Sequence, residues 1–420
     1  MRFLILTQYF PPEIGGAMTR LKSFAAELLR QGHEVEVVTS MPNYPRGKFF
    51  AGYEKTFYKK ELLEGITVHR VWLYPAVGSG PKRMLNYTSF SLTCLYGLLR
   101  ARRPDYLFVE SPPLFLSVPA FLAGIFWRAP FIFNVADLWP DVIVDGGFMK
   151  EGFIIRCLRA VEHWSYRRAT HINTVTDWLL KVLREKKSVP EEKLLFMPNG
   201  VDTRKFRPSL PDEGLKKRLG LAGKQIVLWA GTLGYAHGLD NVLEAAKLLE
   251  ARKKLHFLFV GDGSARGDLV RLQQELRLTN TTFLDPVSLD EIASYYSICF
   301  CGLSSLIDIP TFEGARPSKL FPILASGKPL LFVGKGESAR LVKSSQGGMV
   351  VPPGNPQQLA DTILHLARNT ELCALLGENG RRFAEDHLDW SLLVSRWLRQ
   401  LTSEQTPQNS IGADIPTISC

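Results

Sequence analysis

Short apolar runs alternate along this chain with longer segments whose apolar residues recur every three or four positions, the pattern of strands alternating with helices. The first run, Phe3-Leu-Ile-Leu within Met1 to Gln8, leads through Pro11-Pro-Glu-Ile-Gly15-Gly16 into a helical pattern carrying Leu21, Phe24, Ala25, Leu28 and Leu29. Further runs lie at Glu34 to Thr39, Tyr106 to Val109, Phe131 to Val135, His171 to Thr174 and Lys193 to Met197, each bounded by polar or turn-forming residues. Such runs suit strands covered on both faces, and helical patterns over Ile154 to Arg168 and Asp177 to Glu185 supply the cover. The prediction is a parallel sheet with helices on both sides.

At Pro198-Asn-Gly-Val-Asp202 the alternation stops, and Thr203 to Gly223 is charged and punctuated by proline, as an interdomain connection is. It then restarts: Gln225 to Ala230 reads as a strand, Gly231-Thr-Leu-Gly-Tyr-Ala-His-Gly238 as a glycine turn and Leu239 to Leu249 as a helix. Strands at His256 to Val260, Thr281 to Leu284, Ile298 to Cys301 and Pro329 to Val333 follow, with helices over Leu269 to Leu278 and Leu359 to Arg368. A chain of 420 residues, 45% hydrophobic, exceeds what one core normally supports. The expectation is α/β: two doubly wound domains, 1–200 and 201–384, whose sheets present their carboxyl ends to a common cleft. An amphipathic helix within 385–401 is expected to return to the first domain, and 402–420 reads as a disordered tail.

Basic residues number 51 against 41 acidic ones, and most of the excess lies in the first 200 residues, where 26 basic face 18 acidic. Short clusters such as Lys82-Arg83, Arg102-Arg103 and Arg167-Arg168 suit an anionic membrane surface or a phosphorylated substrate better than a nucleic-acid groove; solubility alone accounts for them equally well. The six cysteines show neither Cys-x-x-Cys pairs nor His-rich ligand spacing, which points to reduced thiols in a cytosolic protein and to no metal site. No secretory signal is recognised at the amino end. Met84 to Leu99 is shorter than the roughly 20 residues of a membrane crossing, and Leu114 to Phe133 is broken by Pro119, Arg128 and Pro130. Flanked by Lys82-Arg83 and Arg100, Met84 to Leu99 reads as an interfacial helix or a buried one.

The densest candidate chemistry is Arg316-Pro-Ser-Lys319, a polar loop running into an apolar segment that closes on Gly327 and Pro329. As the opening of a helix it would aim the amides of Ser318 and Lys319, the macrodipole and two cations at a diphosphate; an ordinary capped helix with a solvated basic end has the same pattern. Gly15-Gly16 makes a second glycine-rich helix entry. Neither is Gly-x-Gly-x-x-Gly, and no acid ends the strand Glu34 to Thr39, so a nicotinamide dinucleotide is discounted. Asp137, after an apolar run, is the leading polar residue of the first half, or else a helix cap before Leu138-Trp139-Pro140.

Gly15-Gly16, Gly32-His33-Glu34-Val35, Asp137-Leu-Trp-Pro-Asp141, Pro198-Asn-Gly-Val-Asp202 with Phe206, Gly231-Thr-Leu-Gly234, Gly261-Asp-Gly263, Pro317-Ser-Lys-Leu and Ala325-Ser-Gly-Lys-Pro329 occur in an order that resembles the retaining GT-B-fold glycosyltransferases. That family includes sucrose-phosphate synthases and bacterial exopolysaccharide and O-antigen transferases. Met41-Pro-Asn-Tyr-Pro45 with Asp137-Leu-Trp-Pro140 is similar to its fucosamine-transferase-like branch, which adds N-acetylated hexosamines or deoxyhexosamines. The resemblance implies a nucleotide-sugar donor, uridine diphosphate linked, a lipid-linked saccharide acceptor at the cytoplasmic membrane face, and neither metal nor other cofactor. It places Gly15, Gly16, Gly231, Thr232, His237, Val287, Glu313, Arg316, Ser318 and Lys319 on the donor, Arg20, Asn43 and Tyr44 on the acceptor side, and Asp137 against the sugar.

Several positions depart from the family's pattern. Gly314 and Pro322 stand where many relatives carry two glutamates eight positions apart, Glu313 lying one residue early; Ala136 replaces a histidine and His237 a lysine. A neutral histidine holds a diphosphate less strongly than lysine, its contribution rising below about pH 6.5. The departures keep open a non-catalytic subunit that binds a nucleotide sugar or glycan. A nucleotide-sugar epimerase is the weaker rival, because no acid and histidine pair for proton abstraction stands out.

Overall fold

The structure, a computed structural model, describes residues 1–403 apart from 14, 79, 146–148 and 289, so the expected tail from 404 onward lies outside the described residues. The chain divides into two compact units, Met1–Asn199 with the segment beginning at Leu393, and Gly200–Leu392.

The first unit is built on eight strands: β1 (Arg2–Leu6), β2 (Glu34–Ser40), β3 (Tyr58–Leu63), β4 (Ile66–Val71), β5 (Tyr106–Ser111), β6 (Phe131–Val135), β7 (His171–Thr174) and β8 (Leu194–Phe196). Their order is β3-β4-β2-β1-β5-β6-β7-β8, parallel throughout except for the β3–β4 hairpin. That hairpin is absent from the sequence prediction. β3 reads Tyr-Lys-Lys-Glu-Leu-Leu with no residue buried and Lys60 and Leu62 exposed, because it is an edge strand and charge keeps such an edge from pairing further. Glu64 and Gly65, both at positive φ, close it tightly.

The second unit has six parallel strands, β9 (Gln225–Ala230), β10 (Leu255–Val260), β11 (Thr281–Leu284), β12 (Cys299–Ser305), β13 (Leu330–Val333) and β14 (Gly348–Val351), in the order β11-β10-β9-β12-β13-β14. This is the doubly wound arrangement whose winding reverses between the first and fourth strands, here β9 and β12; in the first unit the reversal falls between β1 and β5. At those two points the connections diverge and the carboxyl ends of the strands leave an open crevice. β14, the four-residue edge strand Gly-Met-Val-Val, is likewise absent from the strands expected above.

The expected helix across 385–401 is two helices, Thr370–His387 and Trp390–Ser403. Asp389 makes the break: one carboxylate oxygen caps the new helix by accepting the Ser391 amide at 2.9 Å, and the other accepts both the Thr203 amide and hydroxyl. Thr402 and Ser403, read as part of the tail, are helical. From Leu393 on, the last helix completes the first unit's core. Trp397, fully buried, meets Phe24 edge-on at 5.2 Å between ring centroids and lies 6.0 Å from Phe3 and Phe108. Trp397→Ala is expected to cost about 3–5 kcal/mol, measured by chemical denaturation of the full chain.

Candidate functional site

In the second unit the candidate residues gather where the winding reverses. The turn after β9 passes under the strand end of β10: a Cβ on Gly261 would lie 2.0 Å from the Gly231 carbonyl oxygen, so the two backbones touch only because position 261 has no side chain. The turn continues to His237, whose Nδ1 lies 2.9 Å from the Ser305 carbonyl at the end of β12, while Ser305 Oγ donates back to the His237 carbonyl. A carbonyl only accepts, so Nδ1 carries the proton and Nε2 keeps a lone pair.

That lone pair faces Lys319. Lys319 Nζ lies 3.2 Å from His237 Nε2 and 3.8 Å from the centroid of the Trp229 ring, and its stem runs 3.2 Å from where a Cβ on Gly231 would be. The ammonium is thus held by a π face and a neutral imidazole, with no carboxylate among the described residues as its ion-pair partner, and burial lowers its pKa to about 7. Burial first, and the Lys319 charge second, push His237 down to about 4. His237 therefore stays neutral until far below the pH of about 6.5 expected for it, with its Nε2 turned toward Lys319.

Other expectations for this loop are also corrected. The helix after it, Leu320–Ala325, has six residues and begins beyond Ser318 and Lys319, so those two are not its first helical residues. Arg316 is not an open phosphate ligand: its guanidinium meets Glu337 at 2.5 Å, both side chains under 10% exposed. Exposed Glu313 pairs with Arg340 at 3.1 Å, and its carbonyl accepts the Glu337 amide at 2.7 Å. Gly231, Thr232 and Ser318 are exposed, whereas Val287, three residues past β11, rests half-buried on the core.

In the first unit Gly15 precedes the helix Gly16–Arg30, whose amino end no side chain caps. Gly15 is extended, a conformation open to any residue; a Cβ there would press on Met18 Sδ at 2.8 Å and reach the Tyr44 ring at 4.0 Å. Arg20, on the same helix, is buried and paired with Glu110 on β5. Asp137 follows β6 with its surface accessible, although protein hems in its other sides: desolvation raises its carboxyl, and the Arg20 charge opposes the rise. Asn43, in contrast, is fully buried and donates to the Met41 carbonyl, so it shapes its own loop instead of facing an acceptor.

Three contributors are missing from the sequence reading. Glu13 accepts the amides of Asn43 and Tyr44, each at 2.8 Å, tying the glycine loop to the loop after β2, and burial pushes its carboxyl up to about 7. Trp229 supplies the face under Lys319. Glu110 compensates Arg20. The one available signal was a lone acid inside an apolar strand, as in Leu-Phe-Val-Glu110. Among the described residues no three His, Cys, Asp or Glu side chains gather as a metal site.

Residues 15–200 match the Glycosyl transferase 4-like domain and 212–383 the Glycosyl transferases group 1 domain. The putative colanic acid biosynthesis glycosyl transferase WcaI of Escherichia coli is 29% identical over 414 residues, covering 96% of this chain and all of that one. A GDP-mannose-dependent alpha-mannosyltransferase of Mycobacterium tuberculosis is 26% identical over 89% of this chain and 90% of its own. Among solved structures, sucrose-phosphate synthase of Thermosynechococcus elongatus superposes with a TM-score of 0.74 at 16% identity (96% and 99% of the two chains). Anabaena HepE in complex with UDP-glucose does so at 0.71 and 19% (96% and 100%).

The lone buried ammonium has a stability signature. Between about pH 7 and pH 10.5 the unfolded chain holds a proton on Lys319 that the folded chain lacks, so this residue makes stability rise with pH across that window. Lys319→Met is expected to be more stable than the parent at pH 6, the advantage fading by about pH 10, measured as melting temperature across pH.

Proposed function

Since the chain belongs to the GT-B glycosyltransferases, with homologues in polysaccharide biosynthesis, we propose that it is a retaining transferase moving an N-acetylated hexosamine or deoxyhexosamine from a UDP-sugar to a lipid-linked saccharide. The observation that carries the reading is the buried ammonium of Lys319 at the second unit's winding reversal, with no counter-ion among the described residues. A diphosphate arriving there supplies the missing charge. HepE, of the same fold, holds UDP-glucose, which supports a nucleotide-sugar donor, and Met41 to Pro45 with Asp137 to Pro140 supports the choice of sugar.

In the proposed reaction the acceptor hydroxyl oxygen bonds to the anomeric carbon as the bond from that carbon to phosphate breaks, both on one face of the ring. The hydroxyl proton passes to an oxygen of the departing diphosphate. Lys319 and the exposed turn at Gly231 and Thr232 offset the developing charge, in place of a divalent ion. Asp137 orients the transferred sugar, and Arg20 with Tyr44 forms the acceptor side.

A second reading, a binding subunit without turnover, is favoured by one observation: Glu313 is engaged with Arg340, and Pro322 provides no carboxylate in the helix after Lys319. Release of UDP from a UDP-sugar panel, stimulated by membrane extract, supports the transferase; tight donor binding without release under the same conditions supports the subunit. In either case UDP binding at pH 8 is expected to take up about one proton, seen as a dependence of calorimetric heat on buffer, and Lys319→Met should abolish the uptake and weaken binding roughly tenfold or more.

The acceptor's lipid places the protein on the inner face of the cytoplasmic membrane in this reading. No described helix is long and apolar enough to cross a membrane. Leu85, Leu92 and Leu99, seven residues apart, line the exposed face of the helix Pro81–Arg100, and Leu122, Ile125 and Phe126 that of the adjoining helix Ser117–Trp127. Lys82, Arg100 and Arg128 flank these patches, which suits anionic headgroups. The protein is expected to sediment with vesicles of phosphatidylglycerol and phosphatidylcholine, and Leu92→Asp with Phe126→Asp to leave it in the supernatant. Equal sedimentation of the two forms removes the membrane from the proposal.

A further inference from the structure

A row of polar side chains crosses the first sheet at one level. Glu110, Asn134 and Asn173 are in register on β5, β6 and β7, each at most 2% exposed and set among apolar neighbours. Trp397 Nε1 donates to Asn173 Oδ1 at 3.0 Å, Asn173 Nδ2 to Asn134 Oδ1 at 2.6 Å and Asn134 Nδ2 to Glu110 Oε2 at 2.7 Å. Glu110 Oε1 receives Arg20 Nη2, and Arg20 Nη1 reaches Asn199 Oδ1 at 3.3 Å.

The chemistry of the two ends dictates the middle. An indole N–H only donates and a carboxylate only accepts, so both asparagines must turn oxygen toward Trp397 and nitrogen toward Glu110. Glu110 then accepts on both oxygens. A protonated carboxyl would have to donate into one of two donors, so the row favours the ionised form against burial and the nearby Asp137 charge, both of which raise its pKa. Apolar side chains would fill the same space more cheaply, but they would leave the carboxylate without its second partner and free to rotate under Arg20.

We propose that Asn134 and Asn173 are positioning residues, which link the docked Trp397 to Glu110 and so fix the direction in which Arg20 presents its guanidinium at the first unit's winding reversal. The chain's last helix thereby sets the geometry of a side chain that lies nearly 380 positions earlier. The importance of that geometry for transfer rests on the acceptor-side role given to Arg20 above; the geometry itself does not.

The test uses the full chain and no sugar. Trp397→Phe keeps most of the buried ring and deletes the terminal donor, and Asn134→Ala cuts the row in the middle. In both, Arg20 is expected to react with phenylglyoxal about threefold or more faster than in the parent, followed by peptide mass spectrometry, because one restraining hydrogen bond is lost. Arg381, held by the Thr203, Phe206 and Ala325 carbonyls in the other unit, should react at its parental rate. In 15N-tryptophan-labelled protein, Glu110→Gln should shift the Trp397 indole cross-peak although it lies three hydrogen bonds away. A cooperatively folded Trp397→Phe with parental Arg20 reactivity overturns the proposal. Should the first two variants fail to fold, an indole peak unmoved by Glu110→Gln does so alone. These readouts are independent of the transferase reading, whose failure would appear only in the UDP-release assay.

Discussion

A cation held inside the protein at the point where a parallel sheet reverses its winding is the constraint around which each unit is arranged. Removing a charged group from water costs several kcal/mol, and the surroundings must return most of that. The two units return it differently. Arg20 faces a carboxylate that is itself fixed on both oxygens, so its charge has a partner within the unit. Lys319 faces a π system and an imidazole lone pair, so its charge is only partly balanced and its proton is loosely held near neutrality. An incompletely compensated ammonium at a strand end is what the proposed diphosphate site rests on.

Much of the surrounding sequence serves to hold these two groups. The glycine at 261 lets two turns touch, His237 and Ser305 exchange hydrogen bonds across the gap between β9 and β12, and Glu13 ties two loops by their amides. The loop before Lys319 is braced as well: Arg316 on Glu337, the Glu313 carbonyl on the Glu337 amide, and the Ala315 carbonyl on Ser338 Oγ at 2.6 Å. Charged residues that look like ligands in the linear sequence act as struts, and the residue they steady is the lysine.

The histidine at 237, where the family resemblance implies a lysine, acquires a physical sense from this geometry. A second lysine at 237 would set two ammonium groups against each other beside Trp229, whereas a neutral imidazole accepts a hydrogen bond from Lys319 and leaves one cation in the site. Histidine at this position leaves Lys319 as the cation beside Trp229.

The order of apolar runs by itself determined two doubly wound units, because strands buried on both faces and helices buried on one leave periodicities that no local polarity erases. It also marked Gly15 and Lys319 at helix entries and Asp137 just after an apolar run. It did not reveal β3, whose exposed edge carries charge, or the break at Asp389, which depends on Thr203 almost two hundred residues away. Nor did it separate ligands from struts: Arg316 and Lys319 are equally cationic in the sequence, and only packing decides that one meets a carboxylate and the other does not. The same holds for the row from Trp397 to Arg20. The sequence places Glu110, Asn134 and Asn173 in three strands, but which polar residues share a level is set by strand register, and register exists only when the sheet has formed.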